Sequence, residues 1–213
     1  MKPMLPPTEF SENPYQAEWY DRNYIFTPDG AAEHPKHHCK LTFDISLPFV
    51  RNFRTAVDVG CRLGEYSRFL QHHFAMTYCF DPNLWKGFAS NVDLKKVVHF
   101  NCALGDEPGV IQMHGGTHRF VEGKMKTVPV FRLDDFELET VDYIKVDVEG
   151  FETKVLGGGI KTVERDKPVI VIEQNDVFLP DEGPLFAKKW LEDRGYRHAA
   201  TCPRGWDYIM VPV

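Results

Sequence analysis

The chain has 213 residues, of which 43% are hydrophobic and 26% charged; this excludes wholesale disorder and is enough for one domain with a substantial core. Asp and Glu together number 31 against 25 for Lys and Arg, so the net charge is −6. This excess of acidic residues argues against broad electrostatic binding to nucleic-acid phosphates or to an anionic membrane. Small-molecule or neutral polymer partners are therefore favoured.

The five cysteines are widely spaced, and no Cys-x-x-Cys pair occurs. Such spacing is typical neither of a disulfide framework nor of a zinc site, so we expect reduced thiols and a cytoplasmic location. The amino terminus has no apolar signal core, and no run approaches about eighteen apolar residues, so we expect no membrane span.

The beginning of the chain differs from the rest in composition. It is rich in proline and contains an aromatic stretch over residues 15–26. We interpret residues 1–45 as an N-terminal arm and residues 46–213 as the main domain. The arm is predicted to be either an ordered surface segment packed by its aromatics or a substrate lid or homodimer contact.

From residue 54 onward, apolar β-rich runs alternate with segments of helical periodicity. The alternation is typical of a doubly wound α/β fold with a mostly parallel sheet. Strands are predicted over 54–59, 76–80, 96–100, 143–148 and 169–173, and helices over 66–74, 84–92, from 151 to the glycines at 157–159, and 185–194.

Two features distinguish this sheet from a uniformly parallel one. The last two runs, 196–201 and 206–211, flank a Pro-Arg-Gly turn and are predicted to form a closing antiparallel hairpin. We therefore expect a seven-stranded, Rossmann-like sheet. The segment 105–131 interrupts the alternation with β-like stretches over 110–114 and 127–131, which predict an accessory hairpin beside the sheet.

A glycine turn follows the first predicted strand. Gly60 is predicted to let the backbone turn where a side chain would block a ligand, and Gly64 to allow close approach at a helix start. Asp58 would place a negative charge near a cationic amine or sulfonium. The Gly-x-x-x-Gly spacing does not match the dinucleotide fingerprint. A tight turn without any ligand is the alternative interpretation.

A second acidic residue, Asp81, follows the next predicted strand, about 20 residues after Gly60. A carboxylate at this place can accept hydrogen bonds from both hydroxyls of a ribose. A helix N-cap is the alternative, since Asp81 directly precedes Pro82.

A third motif surrounds Asp147, at the carboxyl end of a strand near the sheet centre, where doubly wound folds bind ligands. Glu149 and Glu152 follow it at the start of the next predicted helix. Negative charge stabilises a helix there without any functional role, and we prefer that interpretation for both glutamates.

These motifs carry a resemblance to a known family. The segments VDVGCRLGEYS, CFDPN, VPVFRLDDF, DYIKVDVEGFETKVLGG and KPVIVIEQN, in order from about residue 55 to 175, resemble the FkbM family of S-adenosylmethionine-dependent methyltransferases. A parallel sheet closed by an antiparallel hairpin is also the plan of the methyltransferase fold. The resemblance implies O-methylation of a hydroxyl, commonly on a sugar, glycan or polyketide, with S-adenosylmethionine as the methyl donor.

The resemblance also implies cofactor contacts. The family more often has Ala-Asn after its first glycine and Glu before Pro, where this chain has Cys61-Arg62 and Asp81. Aspartate in place of glutamate keeps the ribose chemistry with a shorter reach. The predicted cofactor contacts are Asp58, Gly60, Gly64, Asp81, Pro82, Ala103 and Asp147.

Asp147 is the first choice beside the reacting methyl group, as a base or as the group that orients the acceptor hydroxyl. An aspartate of ordinary pKa is a weak base for an alcohol, so it would need desolvation, a late proton transfer or a partner. His114 and His118, in the insert, would supply a base, or simply belong to a polar loop. Glu173 is predicted to line the acceptor pocket or to cap the sheet. A divalent ion on Asp147 and Glu173 would acidify the acceptor, but nothing in the spacing demands a metal.

A cluster near the start of the chain has the density of a metal site but lacks a matching second pair of ligands. It consists of His34, His37, His38 and Cys39, and we prefer to interpret it as a solvated helix face or loop.

The alternative functions are a methyltransferase of nucleic acid or protein and a catalytically silent cofactor-binding or assembly module. We expect a small-molecule or glycan acceptor, with neither nucleic acid nor membrane as partner.

Overall fold

The structure, a computed structural model, describes residues 5–13, 15, 38–85, 87–114, 125–174 and 185–213. The strands are β1 (Thr55–Val59), β2 (Met76–Phe80), β3 (Val97–Phe100), β4 (Ala103–Leu104), β5 (Gly109–His114), β6 (Met125–Phe131), β7 (Val141–Val146), β8 (Val169–Glu173), β9 (Tyr196–Thr201) and β10 (Asp207–Pro212). The helices are α1 (His38–Ser46), α2 (Ser67–His73), α3 (Phe88–Asn91), α4 (Glu152–Gly158), α5 (Ile160–Asp166) and α6 (Phe186–Glu192).

Seven strands form the main sheet in the order β3-β2-β1-β7-β8-β10-β9. The pairs from β3 through β8 are parallel, whereas β10 runs antiparallel to both β8 and β9. This arrangement confirms the predicted doubly wound α/β sheet with its closing hairpin. The carboxyl ends of β2, β1, β7 and β8 consequently meet along one edge.

Helices cover both faces of this sheet. On one face, apolar residues of α1 and α2 pack against alternate positions of β1, β7 and β8. On the other face, α4, α5 and α6 pack against the intervening positions. Because both faces are buried, the central strands are apolar along nearly their whole length, and any charged residue in them has to be stabilised by a partner.

A second, three-stranded sheet has the order β4-β6-β5 and contains the predicted accessory hairpin, since β5 and β6 pair antiparallel. Gly158 of α4 packs tightly beside this sheet. A Cβ added there would lie 1.9 Å from the carbonyl oxygen of Gly105.

The glycine run at 157–159 was predicted to end a helix, and this was only partly correct. The chain turns at Gly159 and a further helix, α5, begins at once. The position of Gly158 is explained by its close approach to Gly105, a contact that local sequence does not reveal.

One helix boundary differs from the sequence prediction, and the division into arm and domain stays a prediction. The helix predicted over 84–92 covers only Phe88–Asn91, because Asp81 accepts a hydrogen bond from the Asn83 N–H and fixes the chain after β2 in a turn. The predicted boundary between arm and domain at residue 45 falls inside α1, whose Thr42 and Ser46 are buried against the sheet.

Part of the N-terminal arm lies against β3. Thr8 donates its backbone N–H to the carbonyl of His99 at 2.7 Å, and the two side chains are hydrogen-bonded at 2.8 Å. Phe10 stacks on Phe88 and contacts the ring of His99 edge-on. Most of the aromatic stretch 15–26 lies outside the described residues.

The buried ring of His99 predicts a loss of stability in mild acid. Burial lowers the pKa of His99 from 6.5 to about 4. Below pH 6.5 the unfolded chain therefore binds a proton that the folded chain does not take up until about pH 4. The free energy of unfolding consequently decreases as the pH is lowered from 6.5 towards 4. At pH 5 we expect this residue to account for a loss of about 2 kcal/mol.

The measurement compares urea unfolding at pH 7.5 and pH 5 for wild type and His99→Gln. The difference between the two pH values is expected to shrink in the variant. His198→Gln, on the exposed edge strand β9, is the matched control and should behave as wild type. An unchanged pH difference in His99→Gln would contradict the assignment.

No helix among the described residues is long and apolar enough to cross a membrane. All five cysteines are described, and no disulfide joins any of them.

Candidate functional site

Four acidic side chains lie at the carboxyl edge of adjacent strands. Asp81 directly follows β2, Asp58 is the last but one residue of β1, Asp147 directly follows β7, and Glu173 ends β8. The backbone N–H of Asp147 still donates to the carbonyl of Val59 at 3.0 Å, so the ladder between β1 and β7 continues one residue beyond β7. This edge is where an open α/β sheet binds ligands.

The glycine turn after β1 has a structural requirement in addition to the predicted ligand contact. Gly60 has a φ of +81°, and a Cβ there would lie 1.8 Å from the carbonyl oxygen of Asp147. Gly60 is thus required by the neighbouring backbone rather than by a ligand alone. Gly64 (φ +80°) was predicted at a helix start, but α2 begins only at Ser67, and a Cβ at Gly64 would lie 2.9 Å from Cγ1 of Val92.

Replacing Gly60 with alanine is expected to destabilise the fold beyond the strain of a positive φ. Gly205 provides the matched control, because its φ is +80° and no described atom lies within 4 Å of an added Cβ. Gly205→Ala should cost about 1 kcal/mol of unfolding free energy. Gly60→Ala should cost about 1–3 kcal/mol more, because the chain carrying Asp147 has to move. Equal losses in thermal or urea unfolding would show that the close approach has no energetic consequence.

Asp81 organises the glycine turn from the neighbouring strand. Its Oδ2 accepts the backbone N–H of Arg62 at 2.9 Å, and its Oδ1 accepts that of Asn83 at 2.7 Å. Burial raises the pKa of Asp81 to about 6, although these two hydrogen bonds act in the opposite direction. Each carboxylate oxygen has a second lone pair, so Asp81 retains the capacity to accept ribose hydroxyls.

The residues around Asp81 connect it to the second sheet. The carbonyl of Pro82 accepts a hydrogen bond from Nζ of Lys126, on β6, at 2.5 Å. The side-chain amide of Asn101 donates to the Asp81 carbonyl at 3.0 Å, and Ala103 begins β4 two residues later. Pro82 and Ala103 therefore lie close to the candidate ribose site in the fold, and their contact with a cofactor stays a prediction.

Asp58 is completely buried. Ser67 donates its hydroxyl to Oδ2 of Asp58 at 2.5 Å, while no donor among the described residues reaches Oδ1. Burial raises the pKa of Asp58, and the ammonium of Lys145 opposes that shift. A buried carboxylate oxygen without a donor is costly, so this atom marks a place for a cationic or N–H-bearing ligand.

Lys145 is a buried cation at this edge that the sequence interpretation did not consider. Its Nζ donates to Oδ2 of Asp147 at 2.7 Å, and its side chain is only 6% exposed, whereas that of Asp147 is 29% exposed. Burial acts to lower the pKa of Lys145, but Asp147 and Asp58 raise it well above its ordinary value. The residue is therefore an ammonium ion placed beneath the edge of the site.

Carboxylate oxygens of Asp147 and Glu173 lie within 4.8 Å of each other. Burial acts to raise the pKa of Asp147, but the ammonium of Lys145 holds it below its ordinary value. Burial and the adjacent Asp147 raise the pKa of Glu173 far above its ordinary value. Because two carboxylates this close repel each other, the negative charge of the pair is favoured on Asp147, beside Lys145.

The loop after Asp147 is held by Glu152, whose Oε1 accepts the backbone N–H groups of Val148 and Gly150, each at 3.1 Å. Glu152 therefore has the structural role predicted for it, and Asp147 does not cap α4. Carboxylate oxygens of Asp147, Glu149 and Glu173 lie within 4.8 Å of one another, close enough for a divalent cation. The ammonium of Lys145, which is bonded to Asp147, already offsets part of this negative charge.

Helix α1 forms a wall beside this edge. The hydroxyl of Thr42 donates to Asp207 at 2.8 Å, and Asp207 is the register partner of Glu173 across β10 and β8. One turn earlier in α1, Cys39 lies within electrostatic reach of Lys145 and Asp147, and His38 within reach of Asp147. Both residues are half-buried beside the site rather than on a solvated face.

The structure does not describe the side chains of the remaining histidine candidates. His114 ends β5, but its side chain is not described, and His34, His37 and His118 lie outside the described residues. Their proposed roles stay predictions.

Comparison with known proteins gives the following similarities. The family model for the methyltransferase FkbM domain matches residues 80–198. The fold is similar to that of methyltransferase FkbM from Methylobacillus flagellatus KT, with a TM-score of 0.54 and 19% identity over 81% of this chain and 47% of that one. The chain thus spans about half the length of that protein.

A second solved structure is similar over nearly its whole length. It is the precorrin 8w decarboxylase from Methanobacterium thermoautotrophicum, with a TM-score of 0.52 and 15% identity over 90% of this chain and 97% of that one. At these identities the two structures show the fold alone. No curated protein matches the sequence.

Proposed function

Because the chain belongs to the FkbM family of methyltransferases, we propose that it transfers the methyl group of S-adenosylmethionine to a hydroxyl of a sugar, glycan or polyketide-like small molecule. The observation that carries this proposal is the row formed by Asp81, Asp58 and Asp147 at the carboxyl ends of three adjacent strands. Two of these carboxylates suit the amine and ribose of the cofactor, and the third suits an acceptor hydroxyl.

The chain's residues fit this cofactor. The Oδ1 atom of Asp58 needs a donor, and the ammonium of the methionine moiety would supply one. Asp81 would accept the ribose hydroxyls while it holds the turn at Arg62. When bound, S-adenosylmethionine supplies a methyl carbon that is activated by the positive charge on sulfur.

On the acceptor side, Asp147 would accept a hydrogen bond from the hydroxyl and orient its oxygen towards the methyl group. The low pKa of Asp147 favours this orienting role over early proton abstraction. As the C–O bond formed and the methyl–sulfur bond broke, with S-adenosylhomocysteine leaving, the acceptor oxygen would become a strong acid and its proton would pass to the Asp147 carboxylate. The negative charge of Asp147 also stabilises the positive charge that develops on that oxygen.

The charge around the acceptor side favours an uncharged or cationic acceptor. Asp147, Glu149 and Glu173 surround it, and the chain as a whole has a net charge of −6. Phosphate-rich acceptors such as nucleic acids would be repelled by the net negative charge of the chain. The five cysteines, none of them in a disulfide, support a cytoplasmic location for the reaction.

The test has two steps. Titration calorimetry with S-adenosylmethionine, and with NAD as the control, measures whether the protein binds the proposed cofactor. A screen of hydroxylated sugars, glycans and polyketides, read out as S-adenosylhomocysteine release, then identifies the acceptor. Binding of NAD without binding of S-adenosylmethionine would overturn the proposal. Binding without turnover on any hydroxyl, with turnover on protein or nucleic acid, would reassign the acceptor class.

A further inference from the structure

Lys145 occupies a buried position, where a charge costs free energy of folding. It is the last but one residue of β7, between Ile144 and Val146, both buried in the core. An ammonium ion taken out of water costs several kcal/mol unless charged partners compensate it, and an apolar residue at such a place is often as stable or more stable. Stability of the strand alone does not explain the choice of lysine.

The partners of this ammonium come from both halves of the proposed site. Nζ donates to Oδ2 of Asp147 on the acceptor side. Asp58, on the cofactor side, is the register partner of Lys145 on β1, and its charge acts on the ammonium. Nζ also lies 5.5 Å above the ring of Tyr66, whose hydroxyl is hydrogen-bonded to that of Tyr143. The ammonium is thus held from several sides.

The alternation of side chains along β7 explains the geometry. Tyr143, Lys145 and Asp147 are two residues apart, so they face the same side of the sheet. Asp147 lies just beyond the last strand residue, with Glu173 of the neighbouring strand on its other side. The bond from Lys145 fixes one of its two oxygens and leaves lone pairs for other donors.

We propose that Lys145 is the positioning residue of this site: its buried ammonium, between the carboxylates of Asp58 and Asp147, holds Asp147 in the orientation that receives the acceptor hydroxyl. The inference rests on the proposed methyl transfer. Lys145 would touch neither acceptor nor cofactor and would act only through Asp147.

A double-mutant cycle tests this dependence. The variants are Lys145→Met, Asp147→Asn and the double variant, and the measured quantities are kcat and KM for S-adenosylmethionine on the acceptor found in the screen. Lys145→Met is expected to lower kcat about 10²-fold, the effect of misplacing a reacting group. Since Lys145 acts through Asp147, the double variant should have a kcat within about threefold of that of Asp147→Asn alone.

Two controls keep a structural effect apart from a positioning effect. Lys145→Gln removes the ammonium while keeping a polar side chain one bond shorter than lysine, and it replaces Lys145→Met, with the same expected loss of kcat, if the latter does not fold. Arg54→Met removes the partner of Asp142 at the other end of β7 and should leave kcat unchanged.

Three outcomes are distinguishable. The positioning role would be overturned, while the proposed function stands, if the loss of kcat in the double variant equalled the product of the two single losses. An unchanged kcat in a folded Lys145 variant would overturn it as well. A wild-type protein that binds no S-adenosylmethionine and transfers no methyl group would overturn both. A double variant no slower than Asp147→Asn supports the proposal.

Discussion

Replacing Asp147 with asparagine is expected to lower turnover about 10²–10⁴-fold, or roughly 3–5 kcal/mol of barrier, while cofactor affinity changes several-fold at most. Asparagine keeps the size of the side chain and one acceptor oxygen, but it removes the negative charge that stabilises the developing positive charge on the acceptor. It also loses the charge-assisted bond to Lys145. The test measures single-turnover rates and, by calorimetry, the cofactor affinity of wild type and variant.

Asp142 offers a matched control for this substitution. It lies on the same strand, β7, and is also paired with a cation, because Nη2 of Arg54 contacts its Oδ1 at 2.5 Å. It stands at the amino end of the strand, away from the site. Asp142→Asn should cost stability and leave turnover unchanged. A large loss of cofactor affinity in Asp147→Asn, with normal chemistry, would instead move Asp147 to the cofactor side.

Replacing Asp81 with alanine is expected to weaken S-adenosylmethionine binding by about 1.5–3 kcal/mol, roughly 10- to 150-fold. The loss has two sources: the ribose hydroxyls lose a charged acceptor, and the N–H of Arg62 loses the carboxylate that holds the glycine turn. Asp81→Asn retains an oxygen for the turn and should lose less. Calorimetry on folded variants separates the two sources, and unchanged affinity in Asp81→Ala would refute the ribose assignment.

The same residue predicts a pH dependence of cofactor binding. Because burial raises the pKa of Asp81 to about 6, its carboxylate takes up a proton as pH falls through that value. A protonated carboxyl offers one acceptor oxygen fewer, so affinity should decrease between pH 7 and pH 5. Asp81→Asn should lack this dependence, and the same slope in wild type and variant would assign the titration to another group.

The sequence predicted the sheet, its closing hairpin and the acidic residues at three strand ends, because these depend on local alternation and on turn residues. Lys145 could have been found the same way. A lysine within an apolar strand, two residues before Asp147, has to face the same side as that aspartate.

Other features of the site depend on contacts between distant parts of the chain. Gly60 owes its conformation to the carbonyl of Asp147, and α1 is placed by a hydrogen bond between Thr42 and Asp207, 165 residues apart. Such contacts arise only once the sheet order is known. For that reason His38 and Cys39 resembled a solvated face in the sequence, although the fold brings them beside the site.

A crystal structure with S-adenosylhomocysteine tests the central claim most directly. We predict that the ligand lies along the carboxyl ends of β1 and β2, with its ribose on Asp81, its amine on Oδ1 of Asp58, and the space beside its sulfur facing Asp147. Occupancy of another edge of the sheet, or a sulfur directed away from Asp147, would contradict the account.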